Sequence, residues 1–209
     1  EIPRIFENAT VVIVAGGPSV NLKQIRHVAR ASLTCAGIKV IAVNDAIYPC
    51  WWADWLHACD AKWWNWHRLS ATKVDAVKST CSEGVPWAER INVVPSDPDT
   101  GWRGGFPERQ DTVAGGGNGG YQSIQIAAKA GAKKIILLGF DMTGDNGAHW
   151  FGDHPDNIRS NYESTMLPHF PSLIEPLERL GIDIVNCTPG SALTCFRAAD
   201  LEAELTYGT

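Results

Sequence analysis

Several things are scarce in this 209-residue sequence, and each scarcity closes off a class of explanation. No apolar run approaches the roughly 18 residues of a membrane span. The longest runs, such as Val11-Val12-Ile13-Val14, have the length of a strand. The six cysteines, at 35, 50, 59, 81, 187 and 195, form no C-x-x-C pair and no zinc-ligand spacing. Free thiols in a reducing compartment are therefore expected. Positive charge is in deficit: 18 Lys and Arg against 23 Asp and Glu leave a net charge of -5. That balance argues against a general polyanion binder. No G-x-S-x-G elbow and no H-E-x-x-H pattern occurs, so neither a hydrolase nucleophile nor a zinc protease site is expected. No leader segment, internal repeat or low-complexity block is visible, and the expected location is the cytoplasm.

What is present is organised around Thr10 to Asn21, TVVIVAGGPSVN. An unbroken apolar run reads as a strand buried on both faces, as in parallel sheets. It stops at Gly16, Gly17, Pro18 and Ser19, and a helical pattern follows at once. Two glycines allow a tight turn and a close approach of a ligand to the backbone. Pro18 suits the first turn of a helix, and Ser19 is placed to cap its free N–H groups. Strand, glycine turn and helix start together predict an anion site. The plainer alternative is a strand-to-helix turn with no ligand, since this turn is neither G-x-G-x-x-G nor a P-loop.

Further along, Leu22 to Ala31 carries a helical face through Leu22, Ile25, Val28 and Ala29, and Ile38 to Val43 reads as a second buried strand. Asn44 and Asp45 follow it, where an open parallel sheet binds ligands. Nine tryptophans are present, seven of them between Trp51 and Trp87. They read as core rather than as a sugar platform, with a short strand at Trp55 to Ala58 ending before Asp60. Val74 to Lys78 and Ile91 to Val94 are expected as further strands, and residues 95–120 as an irregular functional loop containing Arg103 and Arg109. The run GGGNGG at 115–120, with Asn118 and Gly119, opens a helix from about Tyr121 to Ala130 and gives a second place for amide N–H groups to meet an anion. Lys134 to Gly139 is the clearest strand, with Phe140 and Asp141 at its carboxyl end. A histidine loop follows at about 142–157, with Asp145, His149, Asp153 and His154. Next come a helix from Asn157 to Met166, broken at Pro168 and Pro171 and resumed through Leu180, and a last strand at Ile182 to Val185. The alternation predicts a single α/β domain over 1–209: a doubly wound, mostly parallel, Rossmann-like sheet flanked by helices.

The order and spacing of GGPS at 16–19, Asn44, the glycine-rich helix start with KKIILLGFDM, and HWFGDHPDN resemble the bacterial sialyltransferase superfamily. They are also similar to its relatives among hydroxymethylpterin diphosphokinase-like and phage proteins. The similarity spans roughly Val11 to Arg197. It implies a glycosyltransferase that moves a sugar from a CMP- or UDP-type donor to a hydroxyl acceptor, by a metal-independent inverting displacement. Gly16, Gly17, Pro18, Ser19, Asn44 and Asp141 would then lie near the donor, with Asp45, Asp60, Asn118 and Gly119 as further donor-side candidates. His154 would be the base, supported by His149 or Asp153. No cofactor or metal site is implied beyond the donor itself, and the acceptor is a saccharide or other hydroxyl-bearing molecule, nucleic acid included. Gly16-Gly17 stands where those enzymes have Asn-Gly. The alternative is a diphosphokinase using ATP with Mg²⁺ on Asp45, Asp60 or Asp141. A third is a nucleotide-binding module without chemistry.

Overall fold

In a computed structural model, which describes residues 1–94, 99, 101, 103–143 and 162–206, the buried apolar runs line up as a parallel sheet. The strands are β1 (Thr10–Val14), β2 (Ile38–Val43), β3 (Trp55–His57), β4 (Val77–Thr80), β5 (Glu89–Arg90), β8 (Lys134–Leu138), β9 (Asp183–Asn186) and β10 (Arg197–Ala198). Their order is β10-β9-β8-β1-β2-β3-β4-β5, and every pairing is parallel. β6 (Asn92–Val94) and β7 (Thr112–Ala114) form a separate parallel pair. The expected doubly wound α/β architecture is therefore the observed one.

The period of two along each strand sorts the core into two layers. Val11, Ile13, Ile41, Val43, Ile135 and Leu137 face one side, against Tyr121, Ile124 and Ala127 of α3 (Gly119–Lys129) and against Phe140, Phe170 and Leu173. Val12, Val14, Val40, Ala42, Ile136 and Leu138 face the other. There they meet Ile25 and Val28 of α1 (Leu22–Thr34) and Trp63 and Trp64 of α2 (Ala61–Ala71). The helix α3 is buried from Gly120 through Lys129, whereas α1 fully buries only Ile25 and Val28. Beyond Tyr162–Met166, a π-helical turn, and Leu167–Leu173, a 3-10 segment, the chain runs through α4 (Ile174–Arg179) and ends its described part in α5 (Leu201–Thr206).

Three expectations need correction. The strand foreseen at Val74 to Lys78 lies instead at Val77–Thr80, because Val77 is the residue that pairs with Trp55. The foreseen strand at Ile91 to Val94 is split: Glu89–Arg90 extends the large sheet, while Asn92–Val94 turns to pair with Thr112–Ala114. That last partner lies within the stretch expected to be wholly irregular. The foreseen helix from Asn157 falls partly outside the described residues, and its described end, Tyr162–Met166, is a π-helical turn.

Candidate functional site

The connections reverse direction at the centre of the sheet. From β1 the chain winds outward through β2, β3 and β4, and then returns through β8 on the opposite side of β1. Two neighbouring strands whose connections leave in opposite directions open a crevice at their carboxyl ends. A cavity of about 440 Å³ lies there, lined by Ala15 to Pro18 after β1 and by Gly139 to Thr143 after β8. Val43 and Asn44 at the end of β2 add a floor, Gly117 to Gly120 at the start of α3 a second wall, and Asp60, Lys62, Trp63 and Trp66 a third. Its volume falls in the range of small-molecule sites. A second cavity of about 410 Å³ shares Asn44, Asp60, Gly117, Asn118 and Gly119 with the first and adds Cys59, Arg103 and Gln122.

The first glycine turn is closed on itself. The Gly17 N–H donates to Gly139 O at 2.9 Å and the Val20 N–H to Gly17 O at 3.2 Å. Ser19 donates from its N–H to Asp141 Oδ1 and from its hydroxyl to Asp141 Oδ2, each at 2.9 Å. A carboxylate from the chain itself thus occupies the place where the sequence suggested an external anion. Burial pushes the Asp141 carboxyl above its usual range, opposed by the two Ser19 bonds. Nor does Ser19 cap the helix. α1 starts three residues later, with Asn21 as its cap: the Asn21 side chain accepts from the Gln24 N–H and the Gln24 side chain from the Asn21 N–H. Pro18 accordingly lies outside the helix and serves as cavity wall.

The second glycine turn is built differently. Gly116 and Gly117 take positive φ values of 58° and 76°, which swing the chain out of β7 and into α3. Asn118 accepts from the Tyr121 N–H at 2.8 Å, fixing the helix start. The N–H groups of Gly119 and Gly120 have no partner among the described residues, and both glycines line the first cavity. A side chain is excluded by packing at Gly120, where a Cβ would lie 2.7 Å from Phe140 Cε1, and crowded at Gly119, where it would lie 3.1 Å from Val43 Cγ1. The sequence carried a signal for this turn, since Gly115, Gly117 and Gly120 have the G-x-G-x-x-G spacing between a strand and a helix. The full dinucleotide arrangement is not reproduced: among the described residues β7 pairs with β6 alone, and Asp141, about twenty residues on in that motif, is engaged by Ser19.

Asn44 takes φ 51°, a left-handed conformation that asparagine tolerates, at the junction of the two cavities. Asp45 does not join it. Its buried carboxylate accepts from Trp63 Nε1–H at 2.9 Å and lies 3.6 Å from His67 Nε2, so it orders the start of α2 and stands outside the lining of the cavity. Asp60 does reach both cavities, and its side chain caps no N–H of α2. His149, Asp153 and His154 lie outside the described residues, but Thr143 and Tyr162, the described residues on either side of them, both line the first cavity.

Sequence reasoning missed Lys62 and Trp66. The tryptophan cluster is mainly core, with Trp55 and Trp64 buried, yet Trp66 is 40% exposed and lines the cavity. The Lys62 ammonium sits 5.0 Å from its ring centroid. The signal was helical spacing: on α2, Trp63 and Trp66 sit three apart, and Lys62 precedes them.

Behind the second cavity runs a buried polar chain. Trp55 Nε1–H donates to Ser79 Oγ at 2.7 Å, Ser79 Oγ meets His57 Nδ1 at 2.9 Å, and His57 Nε2 meets Gln122 Oε1 at 2.8 Å. Gln122 Nε2–H then donates to Gly115 O at 3.1 Å. One proton arrangement satisfies all of them: the Ser79 hydroxyl donates to Nδ1, and neutral His57 donates from Nε2. Burial holds the His57 pKa down at about 4.

Fold and crevice together define a parallel α/β protein with a ligand-sized site at its topological switch point. Comparison with protein-family models, with curated proteins and with solved structures finds no match to this chain. No helix among the described residues is long and apolar enough to cross a membrane.

Proposed function

We propose that this chain is a glycosyltransferase of sialyltransferase-like arrangement, which takes a sugar from a CMP- or UDP-type donor. The observation that carries the reading is the cavity between the ends of β1 and β8, lined by Gly119 and Gly120, whose N–H groups have no partner among the described residues. Donor phosphate binds at this helix start, where amide dipoles and the helix end favour an anion without needing a cation. Lys62 adds a charge, Trp66 a flat apolar wall, and Asn44 a hydrogen-bonding edge for base or ribose. The acceptor reaches the sugar from the adjoining cavity. His154 removes the proton of the acceptor hydroxyl as its oxygen bonds to the anomeric carbon, and the bond from that carbon to the phosphate oxygen breaks with inversion. The departing negative charge is met by the α3 N–H groups and Lys62. His149 or Asp153 orients His154. The position of Thr143 and Tyr162 on the cavity supports this assignment, because the histidine segment joins the described chain at those two residues.

The test is a thermal-shift screen of CMP, UMP, UDP and ATP, each with and without Mg²⁺. A pyrimidine nucleotide should stabilise the fold without metal, by roughly 2.7 kcal/mol at about 100 times Kd. Stabilisation by ATP with Mg²⁺ alone would replace the reading with the diphosphokinase, for which Asp60 is the one of Asp45, Asp60 and Asp141 whose carboxylate is not engaged by Trp63 or Ser19. Once a donor is known, His154→Ala should lose about 10²- to 10⁴-fold in turnover with little change in donor affinity. Near-normal turnover in that variant would remove His154 as the base.

A further inference from the structure

Two sulfur atoms beside the second cavity have no part in this transfer. β3 and β4 run parallel with His57 opposite Ser79, so Cys59 and Cys81, two residues on, leave the strand ends side by side. Adjacent strands lie about 4.8 Å apart, within the span that a disulfide bridges. The two thiols meet the same side chain: the Cys81 S–H donates to Gln122 Oε1 at 3.5 Å. Gln122 Nε2–H donates to Cys59 Sγ at 3.5 Å. Both cysteines are half-buried, and Cys59 lines the cavity of about 410 Å³, which gives small solutes access to it. The S–H of Cys81 holds the Cys59 thiol below the usual thiol range, with Gln122 assisting and burial opposing, whereas Cys81 itself is pushed up.

We propose that Cys59 and Cys81 form an oxidisable dithiol, with Cys59 attacking a hydroperoxide in the second cavity and Cys81 closing an intramolecular disulfide. In the first step the Cys59 thiolate bonds to the terminal peroxide oxygen, the O–O bond breaks, and water or an alcohol leaves with a proton. Cys59 is then a sulfenic acid. In the second step Cys81 sulfur attacks Cys59 sulfur and the S–O bond breaks, releasing water that carries the Cys81 proton. Two thiols are oxidised by two electrons, and one peroxide is reduced. A dithiol reductant reverses the change by exchange. The disulfide also ties the end of β4 to the residue before Asp60, from which α2 begins. Oxidation therefore constrains the wall carrying Lys62, Trp63 and Trp66.

The experiment exposes the full chain to hydrogen peroxide over a time course, blocks remaining thiols with N-ethylmaleimide, and maps the peptides by mass spectrometry. Cys35 and Cys195, comparably exposed, are the internal controls. The expected result is a Cys59–Cys81 bridge forming about tenfold faster than oxidation of either control, and reversed by dithiothreitol. Cys81→Ser should leave Cys59 as a sulfenic acid that dimedone labels, and Cys59→Ser should slow oxidation of Cys81 to the control rate. Should a serine variant not fold, the wild-type peptide map decides by itself. A map without the bridge, or one in which Cys59 reacts no faster than Cys35, overturns the proposal. No nucleotide or turnover enters the readout, so its outcome is separate from that of the transferase reading.

Discussion

The two glycine-rich turns look alike as sequence and differ as chemistry. Gly16-Gly17-Pro18-Ser19 is saturated from within: Gly17 and Ser19 give their N–H groups to Gly139 O and to Asp141. In Gly115 to Gly120 the N–H groups of Gly119 and Gly120 have no partners among the described residues, and both glycines line the cavity. Glycine serves opposite ends in the two places. At Gly17 it admits the chain's own Asp141 and Gly139, whereas at Gly119 and Gly120 it brings a helix start close to β2 and Phe140 while its backbone stays open to a ligand. A glycine motif is therefore read by what lies opposite it, and the first turn is a brace while the second is the better anion site.

Breaking the brace should have the largest effect. A Cβ on Gly17 would lie 2.4 Å from Gly139 O and 1.9 Å from Asp141 Oδ2, and the first of these is backbone that cannot swing away. Gly17→Val should thus cost at least about 3 kcal/mol of stability, measured by urea denaturation. A folded variant of wild-type stability would show that the turn is not held as described. The reading predicts damage to the fold first and to ligand binding only in consequence.

The second turn hangs on neutral His57 through Gln122 and Gly115 O. His57 is buried with a pKa of about 4, against 6.5 when exposed. Between those values the unfolded chain binds a proton that the folded one does not. The stabilisation is therefore complete above about pH 6.5 and is lost as pH falls through about 4. Over that window it amounts to roughly 3 kcal/mol. Thermal unfolding from pH 7 to pH 4 should show the slope, and His57→Gln should flatten it. An unchanged slope in that variant would assign the acid sensitivity elsewhere.

The smallest effect on stability is expected at the ligand-facing glycine. A Cβ on Gly119 meets Val43 Cγ1 at 3.1 Å, an apolar neighbour that yields by a few tenths of an ångström. Gly119→Ala should change stability by no more than about 1 kcal/mol. Crowding of the helix start should nevertheless weaken nucleotide binding about tenfold, or about 1.4 kcal/mol, by calorimetric titration. Unchanged affinity would move the phosphate away from α3.

Much of this arrangement was legible in the chain. Val11 to Val14, Val40 to Val43 and Ile135 to Leu138 are unbroken apolar runs, and each lies in a central strand buried on both faces. The edge was less legible. Glu89 to Val94 carries too few apolar residues to show that the chain leaves one sheet for another between Arg90 and Asn92. The cap of α1 was readable from Asn21-x-x-Gln24, a pattern that outranks Ser19 once the reciprocal bonds are considered. Asp45 was misplaced for a different reason. Strand-end position told where it sits, but its partner, Trp63, comes eighteen residues later and only the packed structure brings the indole N–H to it. Likewise, no local pattern announces that Asp141 reaches back to Ser19.

That reach has a consequence for how the protein comes to fold. Ser19 and Asp141 are 122 residues apart in sequence, and β1 pairs with β8 across a similar separation. Contacts that close so long a loop carry a large entropic cost before they gain anything, so they form late. α1 and its cap, or β1 with β2, can assemble while the chain is still short, but the crevice lacks the wall formed by Gly139 to Thr143 until β8 docks. During synthesis the amino-terminal half therefore emerges with the β8-facing edge of β1 unpaired, an aggregation-prone surface until the second half arrives. Amide hydrogen exchange at Ser19 should accordingly report opening of the whole sheet rather than local fraying, with protection equal to that of the β8 strand.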